Sequence, residues 1–116
     1  MINKVILIGR LTADPELRAT TKGGWVANLR VAANTYGGKD EAGVAKERVE
    51  FFNLVVFGRT AEVAAEHLKK GRLIFAEGRL QTNTWADTDG KKHYRTEVIV
   101  ENLQMLGPKP AETVAA

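Results

Sequence analysis

Tyr36, Phe51, Phe57, Trp85 and Tyr94 are flat aromatic side chains spread along a chain that places Arg10, Arg30, Arg48, Arg59, Arg72, Arg79, Lys92 and Arg95 between and beside them. An aromatic ring offers a face on which another ring can stack, and a cation neutralises a phosphate. Rings interleaved with cations therefore point to holding bases and a sugar-phosphate backbone, with no bond made or broken. Bases inside a duplex are already stacked, so the pattern points to single-stranded nucleic acid.

Residues suited to catalysis are scarce. The chain has no cysteine, which removes thiolate nucleophiles, disulfides and cysteine zinc sites. His67 and His93 are not at ligand spacing from one another. Asp87 and Asp89 share a turn and are expected to shape it rather than to hold a metal. Gly37-Gly38-Lys39 lacks the spacing of a phosphate loop. Neither an enzyme nor a bound cofactor or metal is expected.

Seventeen basic residues against 14 acidic ones give a net charge of +3. That excess is mild, and scattered cations also fit an ordinary solvated surface. No apolar run approaches the roughly 18 residues of a membrane span, so no membrane partner is expected. The chain enters strand pattern at once, without the charged, apolar and small-residue zones of a secretory leader, and a cytoplasmic location is expected.

The elements that must position the aromatics follow from periodicity. Residues 2–11 are β-rich, and Asp14-Pro15 breaks them with turn chemistry. After Gly23-Gly24, residues 25–33 alternate, with Trp25, Ala27, Leu29 and Val31 on one face and Asn28 and Arg30 on the other. Trp25 is thereby expected to cap the core. Residues 34–46, with three glycines and many charges, read as a long functional loop. In residues 48–57, Phe51, Asn53, Val55 and Phe57 face one way and Phe52, Leu54 and Val56 the other. Thr60 is expected to cap a short helix whose apolar stripe is Ala61, Ala64, Ala65 and Leu68, ended by Lys69-Lys70-Gly71. Residues 73–82 and 93–101 are strands, joined by a polar hairpin loop over 83–92. Three strands, one short helix and two strands is the order of an all-β, five-stranded OB-fold barrel with its helix between strands three and four. That domain is expected over residues 1–107, with 108–116 a short flexible tail.

Ordered blocks over residues 2–107 carry a family resemblance. They are Asn3-Lys4-Val5-Ile6-Leu7-Ile8-Gly9-Arg10-Leu11, Asp14-Pro15-Glu16-Leu17-Arg18, Val26-Ala27-Asn28-Leu29, Val55-Val56-Phe57-Gly58-Arg59 with Ala61-Glu62-Val63-Ala64, Leu68-Lys69-Lys70-Gly71, Glu77-Gly78-Arg79-Leu80 and Thr96-Glu97-Val98. Together they resemble bacterial single-stranded DNA-binding proteins. The resemblance implies an OB-fold that binds single-stranded DNA without sequence preference in replication, recombination and repair, as a homotetramer or, failing that, a dimer. It implies a cytoplasmic, nucleoid-associated protein of a bacterium, or one encoded by a phage or plasmid. A primosome-type OB protein and a cold-shock-type RNA binder are the neighbouring classes. The matches at Trp85 and Phe57 favour the DNA binder over the first, and the aromatic-rich motifs of the second are absent.

Residue by residue, Trp85 matches the family's stacking tryptophan and Phe57 a base-contacting phenylalanine. Phe51 replaces a frequent tryptophan, Tyr36 lies within a residue of another aromatic position, and Tyr94 completes the aromatic set. Arg30, Arg72, Arg79, Lys4 and Arg10 are the expected phosphate contacts. Phe52 stands where some members carry a histidine near a subunit contact. The family's long tail with an acidic, apolar tip has no counterpart in residues 108–116, so recruitment of partners through such a tip is not expected.

Overall fold

The computed structural model describes residues 1–107. Its elements in order are β1 (Val5–Leu11), β2 (Glu16–Ala19), β3 (Trp25–Lys39), β4 (Ala45–Phe57), α1 (Gly58–His67), β5 (Leu73–Ala86) and β6 (Lys92–Leu106). The expected tail at 108–116 lies outside the described residues.

The strands form one sheet in the order β1-β5-β6-β4-β3-β2, and β1 also pairs with β3. That second pairing closes the sheet. β1 runs antiparallel to β5 from Val5↔Gly78 to Arg10↔Leu73, and its end crosses to β3 at Arg10↔Ala32 and Leu11↔Val31. A Cβ on Gly9 would sit 2.5 Å from the Ala32 carbonyl oxygen and 2.6 Å from Val31 Cγ1, so this crossing needs a residue without a side chain. On the other side of the barrel β4 and β6 run parallel through Leu54↔Val98 and Val55↔Ile99. Five strands closed this way, with α1 between β4 and β5, make the expected OB-fold.

Strand alternation builds the core. Leu7 and Leu11, Ala27, Leu29 and Val31, Leu54 and Val56, Ile74 and Ala76, and Val98 point inward. Ala61 and Ala64 of the helix and its C-cap Leu68 join them, fully buried, with α1 packed chiefly against β3. Among the described residues no helix is long and apolar enough to cross a membrane.

Four elements differ from the sequence expectation. The helix starts at Gly58, not after Thr60. Phe57 is its N-cap, in extended conformation and without a side-chain cap bond, and Gly58 at φ +70° swings the chain from strand to helix. Residues 34–46 are not a loop: β3 and β4 continue as a two-stranded arm out to Lys39 and Ala45, with a register shift between Tyr36 and Lys39. Residues 83–92 likewise belong mainly to a second arm, formed by β5 and β6 as far as Ala86↔Lys92. Both arms end in the same turn. Asp40 and Asp87 each accept two backbone N–H bonds of 2.9 Å on Oδ1, and Gly43 and Gly90 supply the positive φ. Lastly, β2 is an added short strand, exposed throughout and paired only with β3.

Candidate nucleic-acid interface

Residues two apart on a strand share a face, and directly paired residues lie side by side. The β3–β4 ladder therefore lays out one outer surface in rows: Val26↔Phe57, Asn28↔Val55, Arg30↔Asn53, Ala32↔Phe51, Asn34↔Val49 and Tyr36↔Glu47. Phe57, Phe51 and Tyr36 stand out from it, 52%, 54% and 67% exposed. Six residues of extended chain put Phe57 and Phe51 about 20 Å apart.

Arg30 sits between them. Its guanidinium donates to Asn53 Oδ1 at 3.3 Å and lies 5.2 Å from the Phe51 ring centroid. The cation is held over a ring face by a cation–π contact and a hydrogen bond, while its remaining N–H groups stay available.

The parallel seam carries the same surface onto β6. Val55 and Ile99 share the outer side, so Glu97, Arg95 and His93 do too. Across β6 their partners are Gln81, Asn83 and Trp85. Trp85 thus joins Phe51, Phe57 and Tyr36 on one continuous face. Its indole stacks on His93, with centroids 5.5 Å apart and planes at 22°, and the Arg95 guanidinium lies 5.9 Å from its centroid. On the barrel below the arms is an open pocket of about 240 Å³, lined by Arg30 and Asn53, by Arg95 and Glu97, and by Asp14 and Glu16 at the start of β2. Glu97 is buried; it accepts a bond from Asn83 Nδ2 and lies 3.9 Å from Arg95.

Tyr94 does not join this face. It pairs with Thr84, one step out of phase with Trp85, so it projects from the opposite side of the arm. The expected cations also divide. Arg10 lies in a row with Ala32 and Phe51, exposed, and donates to the Gly71 carbonyl at 3.0 Å. Lys4 is paired with Glu77 at 3.2 Å on the β1–β5 side of the barrel, whereas Arg79 stands opposite Ile99, in phase with Trp85, and is paired with Glu101 at 3.7 Å. Arg72 departs from the expectation. It is buried, with a guanidinium nitrogen donating to the Gly107 carbonyl at 3.3 Å, and it offers no surface to a phosphate. Trp25 is 37% exposed rather than sealed over the core, because β3 at that end pairs with exposed β2.

Arg95, Asn53 and Val49 are members of the face that sequence reasoning left out of the site. The Asp87 turn carried the missing signal for Arg95: counting outward from it pairs 86 with 92, 85 with 93 and 83 with 95. At the turn itself, Asp87 is held below the usual carboxylate range. The chief cause is the hydrogen bond with His93, at 2.8 Å, followed by the backbone N–H of Lys91. The carboxylate therefore stays ionised further into acid, and what it contributes to the turn fades only as pH falls through that lowered value. Among the described residues no group of three or more metal-ligating side chains is present.

A closed five-stranded barrel whose outer face carries aromatics with arginines between them has the make-up of a nucleic-acid-binding OB domain. Residues 2–106 match the model of the single-strand binding protein family. The chain belongs to that family, which is non-catalytic. It is 45% identical over 109 residues to single-stranded DNA-binding protein 1 of Chlorobaculum tepidum, covering 93% of this chain and 67% of that protein. A Plasmodium falciparum SSB complex with single-stranded DNA superposes with a TM-score of 0.83 at 25% identity, over 92% of this chain and 97% of the other. A deletion mutant of the single-stranded DNA-binding protein from Thermus aquaticus gives 0.79 at 36% identity, over 93% of this chain and 52% of the other.

Proposed function

We propose that this chain binds single-stranded DNA without sequence preference and protects it during replication, recombination and repair. One observation carries the reading: Tyr36, Phe51, Phe57 and Trp85 occupy a single outer face with Arg30 and Arg95 set between them. Every base has a π-face, so stacking platforms tolerate any sequence, and the arginines meet the phosphates that follow. Duplex DNA keeps its bases out of reach. The family relationship supports the same reading.

The test is a titration with equal lengths of oligo(dT), mixed-sequence single strand, duplex DNA and RNA. Tight binding to both DNA single strands is expected, with weak binding to duplex. Affinity should fall linearly with salt on logarithmic axes, by about 0.7 for each phosphate neutralised. Equal affinity for duplex and single strand would reject the reading, and a clear preference for RNA would move it to the cold-shock class.

The acting form in this reading is a homotetramer, with a dimer as the alternative. Ile6 and Ile8 are 60% and 54% exposed on the outward side of β1, and Ile8 pairs with the half-buried Phe75. Such an apolar row on a barrel strand suits contact with further copies. Phe52 is half-buried against the core. Sedimentation equilibrium at micromolar protein should give four copies; a monomer would count against the assembly and leave the DNA reading standing.

A further inference from the structure

Trp85 stands on an arm that the core does not support. Among the described residues no member of the hydrophobic core cluster lies between 77 and 97, so the arm's own contacts must fix the indole. Those contacts form a chain. Asp87 anchors the turn, with Oδ1 accepting the N–H groups of Asp89 and Lys91 and its own N–H donating to the Lys91 carbonyl. Its other oxygen lies 2.8 Å from His93 Nε2. The imidazole in turn lies flat against the indole.

We propose that His93, clamped by Asp87, is the positioning residue for Trp85, and that protonation of its imidazole tightens DNA binding. The proposal rests on the reading of Trp85 as a stacking residue. The His93 ring stacks on the indole and the Arg95 guanidinium lies 5.9 Å from its centroid, while the indole stays 47% exposed and keeps surface for a base. Imidazole is the side chain that ordinarily changes charge between about pH 5 and 8.

The charged groups around His93 on the arm are Asp87, Asp89 and Lys91 of the turn and Lys92 and Arg95 of β6, while Thr84, Trp85 and Ala86 of β5 bring no charge. Asp87 is held below the usual carboxylate range and is ionised throughout that window. A proton on His93 then acts two ways in one direction. It makes the bond to Asp87 charge-assisted, and it turns the stack on Trp85 into a cation–π contact. Proton and DNA binding are reciprocally coupled.

The experiment uses the full chain with Trp25→Phe, so that Trp85 is the remaining indole and is excited selectively over Tyr36 and Tyr94. Emission without DNA and affinity for oligo(dT) are followed between about pH 5.5 and 8 at fixed ionic strength. The expected result is emission that falls as the imidazole charges, and affinity about two- to fivefold higher at the acid end. His93→Gln keeps a donor for Asp87 without titrating, and should flatten both profiles at the alkaline value. His93→Arg should hold affinity near the acid value at every pH. His67→Gln should keep the parent profile.

A flat parent profile, or a His93→Gln variant that keeps the parent's, overturns the proposal. So does a salt slope steeper by about 0.7 at the acid end, which would make His93 a phosphate contact. If Trp85→Ala binds as tightly as the parent, the stacking reading itself fails. If Trp85→Ala weakens binding while His93→Gln behaves as the parent, only the positioning role fails.

Discussion

Trp85→Ala should weaken binding to oligo(dT) by about five- to 150-fold, since removing an aromatic platform costs about 1–3 kcal/mol per base in single-strand binders as a class. The indole is 47% exposed and already backed by His93 and Arg95, so little ordering remains to oppose the stack. The drop in intrinsic fluorescence on binding should vanish with it. Trp25, the other indole, lies where β3 meets β2, out of phase with the outer face, and should report little. Tyr94→Ala is the matched control: an aromatic on the same arm, 69% exposed, but projecting from the other side. Its affinity should stay within about twofold of the parent, because it gives up no stacking energy on this face. A loss at Tyr94 equal to that at Trp85 would mean that the strand passes over both sides of the arm.

The two faces of β4 were legible in the sequence because strict alternation over Phe51 to Phe57 separates residues that fill a barrel from residues that do not. The helix stripe was legible for the same reason at a longer period. The arms were not. Gly37, Gly38 and Gly43 are loop formers by local preference, and the ladder that holds them extended is supplied by the partner strand. Hiding the arms also hid the cross-strand partners, so Trp85 and Tyr94 could not be assigned to opposite sides, nor Arg95 placed beside Trp85. Arg72 shows the reverse. It is in phase with Ile74 and Ala76, both fully buried, and that phase outweighed its charge. Trp25 keeps the inward phase of Ala27 and Leu29 but stands where the barrel has ended.

Because one strand carries both platform and core, stability and binding should separate within β4. Leu54 is fully buried and Phe51 is 54% exposed, three residues away on the opposite face. Leu54→Ala should destabilise the fold by about 2–5 kcal/mol, as the lost burial and the cavity left behind add together. Phe51→Ala leaves no cavity, and should cost less than about 1 kcal/mol. Its effect falls on DNA instead, where a lost stack and the freed Arg30 should weaken oligo(dT) binding by at least about fivefold. Urea unfolding at equal protein concentration measures the first quantity, since self-association would add a concentration-dependent contribution. Titration well below the unfolding transition measures the second. Below that transition, Leu54→Ala should bind nearly as the parent does, because Asn53 and Val55 keep their register with β3 and β6. Equal unfolding losses in the two variants would mean that Phe51 serves the fold rather than the bound strand, and would remove it from the platform.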